Sequence, residues 1–131
     1  MADRRTISPD EIEVVKWLLA HGAMKDASEY RAESLDGCEV VSACSCGCAS
    51  IDFVYAGSAK TAGLRSPSII AEAIARWFDG TQAGVMLWAD VGKLLGIELY
   101  ELGGDNIARR FPTVGALLRW EDYYPLHSSR T

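Results

Sequence analysis

The feature that most constrains the fold is a series of strand-length apolar runs separated by turns too short for anything but hairpins. Gly84-Val85-Met86-Leu87-Trp88-Ala89 lies between Asp79-Gly80 and Asp90-Val91-Gly92-Lys93, and Leu95-Gly96-Ile97-Glu98-Leu99-Tyr100 follows. Short apolar runs bounded by Asp and Gly read as strands, and consecutive strands joined by tight turns make an antiparallel meander. The run before them is ambiguous. Ile70, Ala73, Ile74 and Trp77 have helical spacing, and Ser66-Pro67 can start a helix. The neighbouring turns favour a meander, so a strand is expected for Ile69 to Phe78.

The N-terminal half begins differently. Ser8-Pro9-Asp10-Glu11 has the spacing of a capping box, with proline at the first helical position. Ile12, Val15, Leu18 and Leu19 then mark one helical face, and Gly22 can end it. Asp26 and Glu29 repeat the capping spacing for a shorter helix from about Ala27 to Ser34, anchored by Tyr30. After the Asp36-Gly37 turn the pattern becomes extended, with a strand from Glu39 to Cys44. Ile51, Phe53 and Tyr55 alternate with Ser50, Asp52 and Val54 in a second strand. These two form a hairpin. Thr113 is placed to cap a short helix through Leu118.

The expected architecture is α+β. N-terminal helices pack on an antiparallel sheet of about five strands, a hairpin plus a meander. A length of 131 residues fits a single domain over 1–131, with frayed ends at about 1–6 and 126–131.

Composition narrows the function classes. Net charge is −5, which disfavours binding of nucleic acid through its phosphate backbone and allows a basic protein partner. No apolar run approaches the ~18 residues of a membrane span, and no secretory leader is visible, so the cytoplasm is the expected compartment.

In a reducing compartment, clustered cysteines are free thiols or metal ligands rather than disulfides. All four cysteines fall within one short stretch: Cys38, then Cys44-Ser45-Cys46-Gly47-Cys48 at the expected hairpin tip. Three readings stand side by side. Cys38, Cys44, Cys46 and Cys48 supply enough ligands for a zinc ion, with Asp52, His21 or His127 as substitutes. Zinc sites, however, usually draw ligand pairs from two separate segments. Neighbouring thiols can also form an easily reduced disulfide in a redox protein or sensor, although the nearest cation in sequence is Lys60. The third reading is that the thiols pack as small apolar side chains.

The stretch Cys44-Ser45-Cys46-Gly47-Cys48-Ala49-Ser50-Ile51-Asp52-Phe53 resembles a family of small, uncharacterised bacterial proteins with the pattern C-x-C-G-C-x-S-[IV]-[DE]-[FLV]. The likeness extends from the Ser-Pro-x-Glu helix start through Val85-Met86-Leu87-Trp88 and Gly96–Tyr100 to Arg110-Phe111-Pro112-Thr113. It implies strands in the C-terminal half and supplies no catalytic residues.

Among other candidates, Trp120, Tyr123 and Tyr124 cluster with Glu121 and Asp122. Aromatic residues of this kind anchor interfaces, and they are the candidate partner-binding residues. Glu98 and Glu101 read as exposed strand glutamates, and His21 as a complement to a helix C-terminus. No nucleophile–base order with elbow glycines and no phosphate loop is present. The expected function is a small acidic binding protein without enzymatic activity, such as a bacterial or phage-encoded inhibitor of the toxin-immunity or anti-defence type. The alternatives are a zinc-binding domain or a thiol redox protein.

Overall fold

The computed structural model describes residues 4–22, 24, 27–42, 49–55, 67–90, 92–102 and 109–122. The elements are β1 (Arg5–Thr6), α1 (Pro9–His21), β2 (Glu39–Ser42), β3 (Ile51–Val54), β4 (Ser68–Arg76), β5 (Gln82–Asp90), β6 (Lys93–Glu101) and β7 (Leu117–Leu118). Short 3₁₀ turns cover Ala27–Glu29, Ala32–Leu35 and Val114–Ala116. All strands belong to one antiparallel sheet in the order β1-β2-β3-β6-β5-β4-β7.

The mixed helix-and-sheet class is as expected, but among the described residues the sheet has seven strands instead of about five. The two additions are edge strands of two residues each, too short to leave a periodic pattern in sequence. Arg5 and Thr6, assigned above to the frayed end, pair with Val40 and Glu39. The expected helix from Thr113 to Leu118 is a single 3₁₀ turn leading into β7, and Thr113 makes no side-chain cap. The expected helix over 27–34 resolves into two 3₁₀ turns, too brief for a regular apolar face.

Helix α1 starts as its capping box dictates. The Ser8 N–H donates to Glu11 Oε1 at 2.8 Å, and the Glu11 N–H donates to Ser8 Oγ at 3.1 Å. Its inner face buries Val14, Val15 and Leu18. These pack toward β4 and the turns at Ala32–Leu35 and Val114–Ala116. The sheet's inner face meets them with Ala71, Ala73 and Ala75 from β4, Val85 and Leu87 from β5, and Ile97 and Leu99 from β6. Small residues on β4 let the helix approach closely.

Two bulges bend the meander. Ile69 pairs with Trp88 and Ala71 with Leu87, which leaves Ile70 unopposed. Trp88 pairs with Gly96 and Ala89 with Leu94, which leaves Leu95 unopposed. An extra residue on each flank of β5 at the same level sharpens local twist. It also turns both Ile70 and Ala71 into the core.

The β3–β6 seam, which joins the N-terminal hairpin to the meander, is narrow, with Ile51↔Ile97 and Asp52↔Gly96 in register. Side chains extend it at both ends. The Leu99 N–H donates to Ser50 Oγ at 2.8 Å, and Tyr55 Oη donates to the Leu94 carbonyl at 2.7 Å. The outer edge of β4 is covered along its length. Leu118 and Leu117 pair with Ile74 and Ala75, while the Met24 N–H bonds the Ile70 carbonyl and the Glu72 N–H bonds the Gly22 carbonyl.

Candidate functional site

The turn between β4 and β5 is built by local rules. The Trp77 N–H donates to the Thr81 carbonyl at 2.9 Å, closing a loop of Phe78, Asp79 and Gly80. Gly80 has φ +90°, the left-handed position of a three-residue hairpin loop. Asp79 braces the turn by accepting from the Thr81 N–H at 3.0 Å.

This braced tip holds Phe78 fully exposed to solvent. The adjacent Trp77 is partly buried and packs on the core, as does Phe111. Between them opens a cleft of about 620 Å³, lined by Arg76, Trp77, Phe78, Arg110, Phe111 and Thr113 among others. Arg110 reaches across to Asp79 at 3.7 Å, with both side chains more than 60% exposed. The site therefore combines a projecting phenyl ring, two rings rooted in the core and two guanidinium groups.

Phe111 also lines a second cleft of about 430 Å³, with Arg5, Val40, Ser42, Ser50 and Ile51. One residue thus faces clefts against β2–β3 and against β4, so the sheet curls its two margins toward each other. Ser42 and Ala49, which flank the segment 43–48, both line this second cleft.

The expected hairpin of the cysteine region is present, since Ser42 pairs with Ile51 and Glu39 with Val54. Cys44, Cys46 and Cys48 lie outside the described residues. Cys38 is a free, buried thiol at the other end of β2 from that segment, roughly 13 Å from Ser42 along an extended chain. Its sulfur lies 3.2 Å from the Glu39 carbonyl oxygen and 3.4 Å from that of Val54. Burial pushes its pKa up, which keeps it a thiol and a poor nucleophile or ligand. Among the described residues, no group of three or more His, Cys, Asp or Glu is placed to hold a metal ion.

Of the C-terminal candidates, Trp120 is half-buried, while Glu121 and Asp122 are exposed. Both acids are tied to Arg119, at 3.5 Å and 2.9 Å. Tyr123 and Tyr124 lie outside the described residues. Glu98 accepts from Trp88 Nε1 at 3.0 Å on the outer face of the sheet. His21 sits at the end of α1 with its ring 5.1 Å from that of Trp17.

Phe78 and Arg110 share no local sequence pattern. They are thirty-two positions apart by their numbering, and only the fold brings them to one cleft. The available signal was a phenylalanine immediately before a turn-forming Asp-Gly, a place where an apolar ring cannot be buried locally.

Comparison with family models, with curated proteins and with solved structures finds no match to this chain. Among the described residues no helix is long and apolar enough to cross a membrane.

Proposed function

We propose that this chain is a small, acidic, non-enzymatic binding protein that acts by contacting a protein partner, docking it on the β4–β5 hairpin tip. Phe78 is the observation that carries this reading. A phenyl ring fully in water on a braced turn contributes nothing to the fold, whereas burying it against a partner is worth about 1.5–3 kcal/mol. Aromatic and arginine side chains grouped around a cavity have the composition of an interface hot spot. The Asp79 brace and the Trp77–Thr81 closure mean that little ordering entropy is spent on docking.

The small size and net charge of −5 suit an inhibitor of the toxin-immunity or anti-defence type working in the cytoplasm, where an acidic surface steers association. Affinity capture with the full chain tests this. Wild type should retain a partner from lysate of its native cell that Phe78→Ser fails to retain. Equal retention by both would overturn the assignment of the docking surface.

A further inference from the structure

We infer that the hairpin-tip cleft recognises an acidic peptide segment, one in which a carboxylate stands beside an aromatic or branched aliphatic side chain. This rests on the docking surface proposed above and adds the chemistry of its occupant. The warrant is a local reversal of charge. The chain as a whole carries −5, yet among the described residues this corner sets Arg110 at the cleft, and the adjoining exposed Arg109, against Asp79, while Arg76 lines the cleft with a partner of its own. Arg110 is held by Asp79 at 3.7 Å, beyond hydrogen-bond distance, with both groups largely in water. Such a pair is worth little and exchanges readily. An incoming carboxylate can take both nitrogens of the guanidinium in a paired geometry that Asp79 does not reach.

The apolar half of the site is equally specific. Trp77 and Phe111 form walls rooted in the core, and Phe78 lines the cleft from the exposed hairpin tip. The ~620 Å³ between them falls in the range of roughly 300–1,000 Å³ that encloses a bulky side chain or small ligand. A nucleic-acid strand would satisfy the rings and the arginines as well, but it brings a charge at every phosphate into the field of an acidic protein, whereas the peptide needs to bring only one carboxylate. The observations therefore favour a peptide.

The test is a selection of phage-displayed random linear peptides on the immobilised full chain, run in parallel on Phe78→Ser and Arg110→Glu. Both positions are exposed, and unchanged thermal midpoints will confirm folding. Wild type should enrich peptides with Asp or Glu within two positions of Phe, Trp, Tyr, Leu or Ile. A synthetic peptide of that consensus should bind either variant at least about tenfold more weakly, and its affinity should fall with added salt. Enrichment of neutral or basic peptides that is lost in Phe78→Ser would overturn the acidic occupant while sparing the docking surface. Enrichment indifferent to Phe78→Ser would overturn both. Absence of any consensus, or tighter binding of an oligothymidylate than of any selected peptide, would also overturn the proposal.

Discussion

The guanidinium of Arg5 closes on the carboxylate of Glu11 with both terminal nitrogens, one of them 2.9 Å from Oε1, and so ties β1 to the first turn of α1. Glu11 is 3% exposed although it belongs to a helix N-terminus. Burial by itself raises its pKa; the Arg5 pair and the bonds from Ser8 outweigh burial and hold it below the usual value. The unfolded chain therefore takes up this proton at a higher pH than the folded one. The stabilisation is complete above the unfolded value of ~4.3 and is lost as pH falls through the folded value. Glu11→Ala should cost about 2–3 kcal/mol at neutral pH, as it removes a charged hydrogen-bond partner and half a capping box. In urea unfolding, the gap between wild type and Glu11→Gln should narrow as pH drops below ~4. A gap independent of pH would contradict the assignment.

Gly96 and Gly22 mark places where the backbone of one element presses on another. A Cβ at Gly96 would lie 2.5 Å from the Ile51 carbonyl oxygen, and one at Gly22 would lie 2.4 Å from that of Glu72. Neither obstacle is a side chain that can swing aside. Gly96→Ala must open the two-pair β3–β6 seam, and Gly22→Ala must lift the chain off the edge of β4. Each should destabilise by about 1–3 kcal/mol. Gly115→Ala, whose nearest neighbour is 3.9 Å away, should change the urea midpoint little.

Tyr55 provides an alkaline counterpart to Glu11. Burial, chiefly, pushes its phenol up to about 12. Between the ordinary value of ~10 and that one, the folded chain keeps a proton that the unfolded chain has released. Its contribution is therefore intact below pH ~10 and fades as pH climbs to about 12. Following phenolate absorbance across this window, wild type should show a late-titrating tyrosine that is missing from Tyr55→Phe. Losing the bond to the Leu94 carbonyl should cost the variant about 1 kcal/mol.

The contrast between α1 and β4 shows what the sequence could reveal. α1 announces itself because its signals are local: Ser8, Pro9 and Glu11 act within one turn. β4 looked half helical for a physical reason. The bulge at Ile70 breaks alternation, so Ile70, Ala71 and Ala73 all face the core, while Ile74 is buried on the outer face opposite Gly84 and Leu118. Apolar residues at Ile70, Ala73, Ile74 and Trp77 mimic a helical period without one. β1 and β7 were invisible because a two-residue strand owes its existence to its partner's open edge. The candidate site was illegible for a related reason. Phe78 and Arg110 meet through tertiary curvature, and no local pattern encodes that meeting.

Cys38 separates the readings of the cysteine motif. It is buried at the far end of β2, with its thiol against the Glu39 and Val54 carbonyls. Alkylation mapped by mass spectrometry should modify it only on unfolding. If purified protein carries zinc, Cys38→Ala should leave the zinc content unchanged. Loss of zinc in that variant would restore the four-cysteine site.

Docking through the hairpin tip is the claim on which the functional account depends. Titration calorimetry of the captured partner against wild type and Phe78→Ser, at matched salt and pH, tests it most directly. A loss of about 1.5–3 kcal/mol in binding, roughly tenfold to a hundredfold, with an unaltered thermal midpoint is the predicted result. Equal affinity of the two proteins would contradict it.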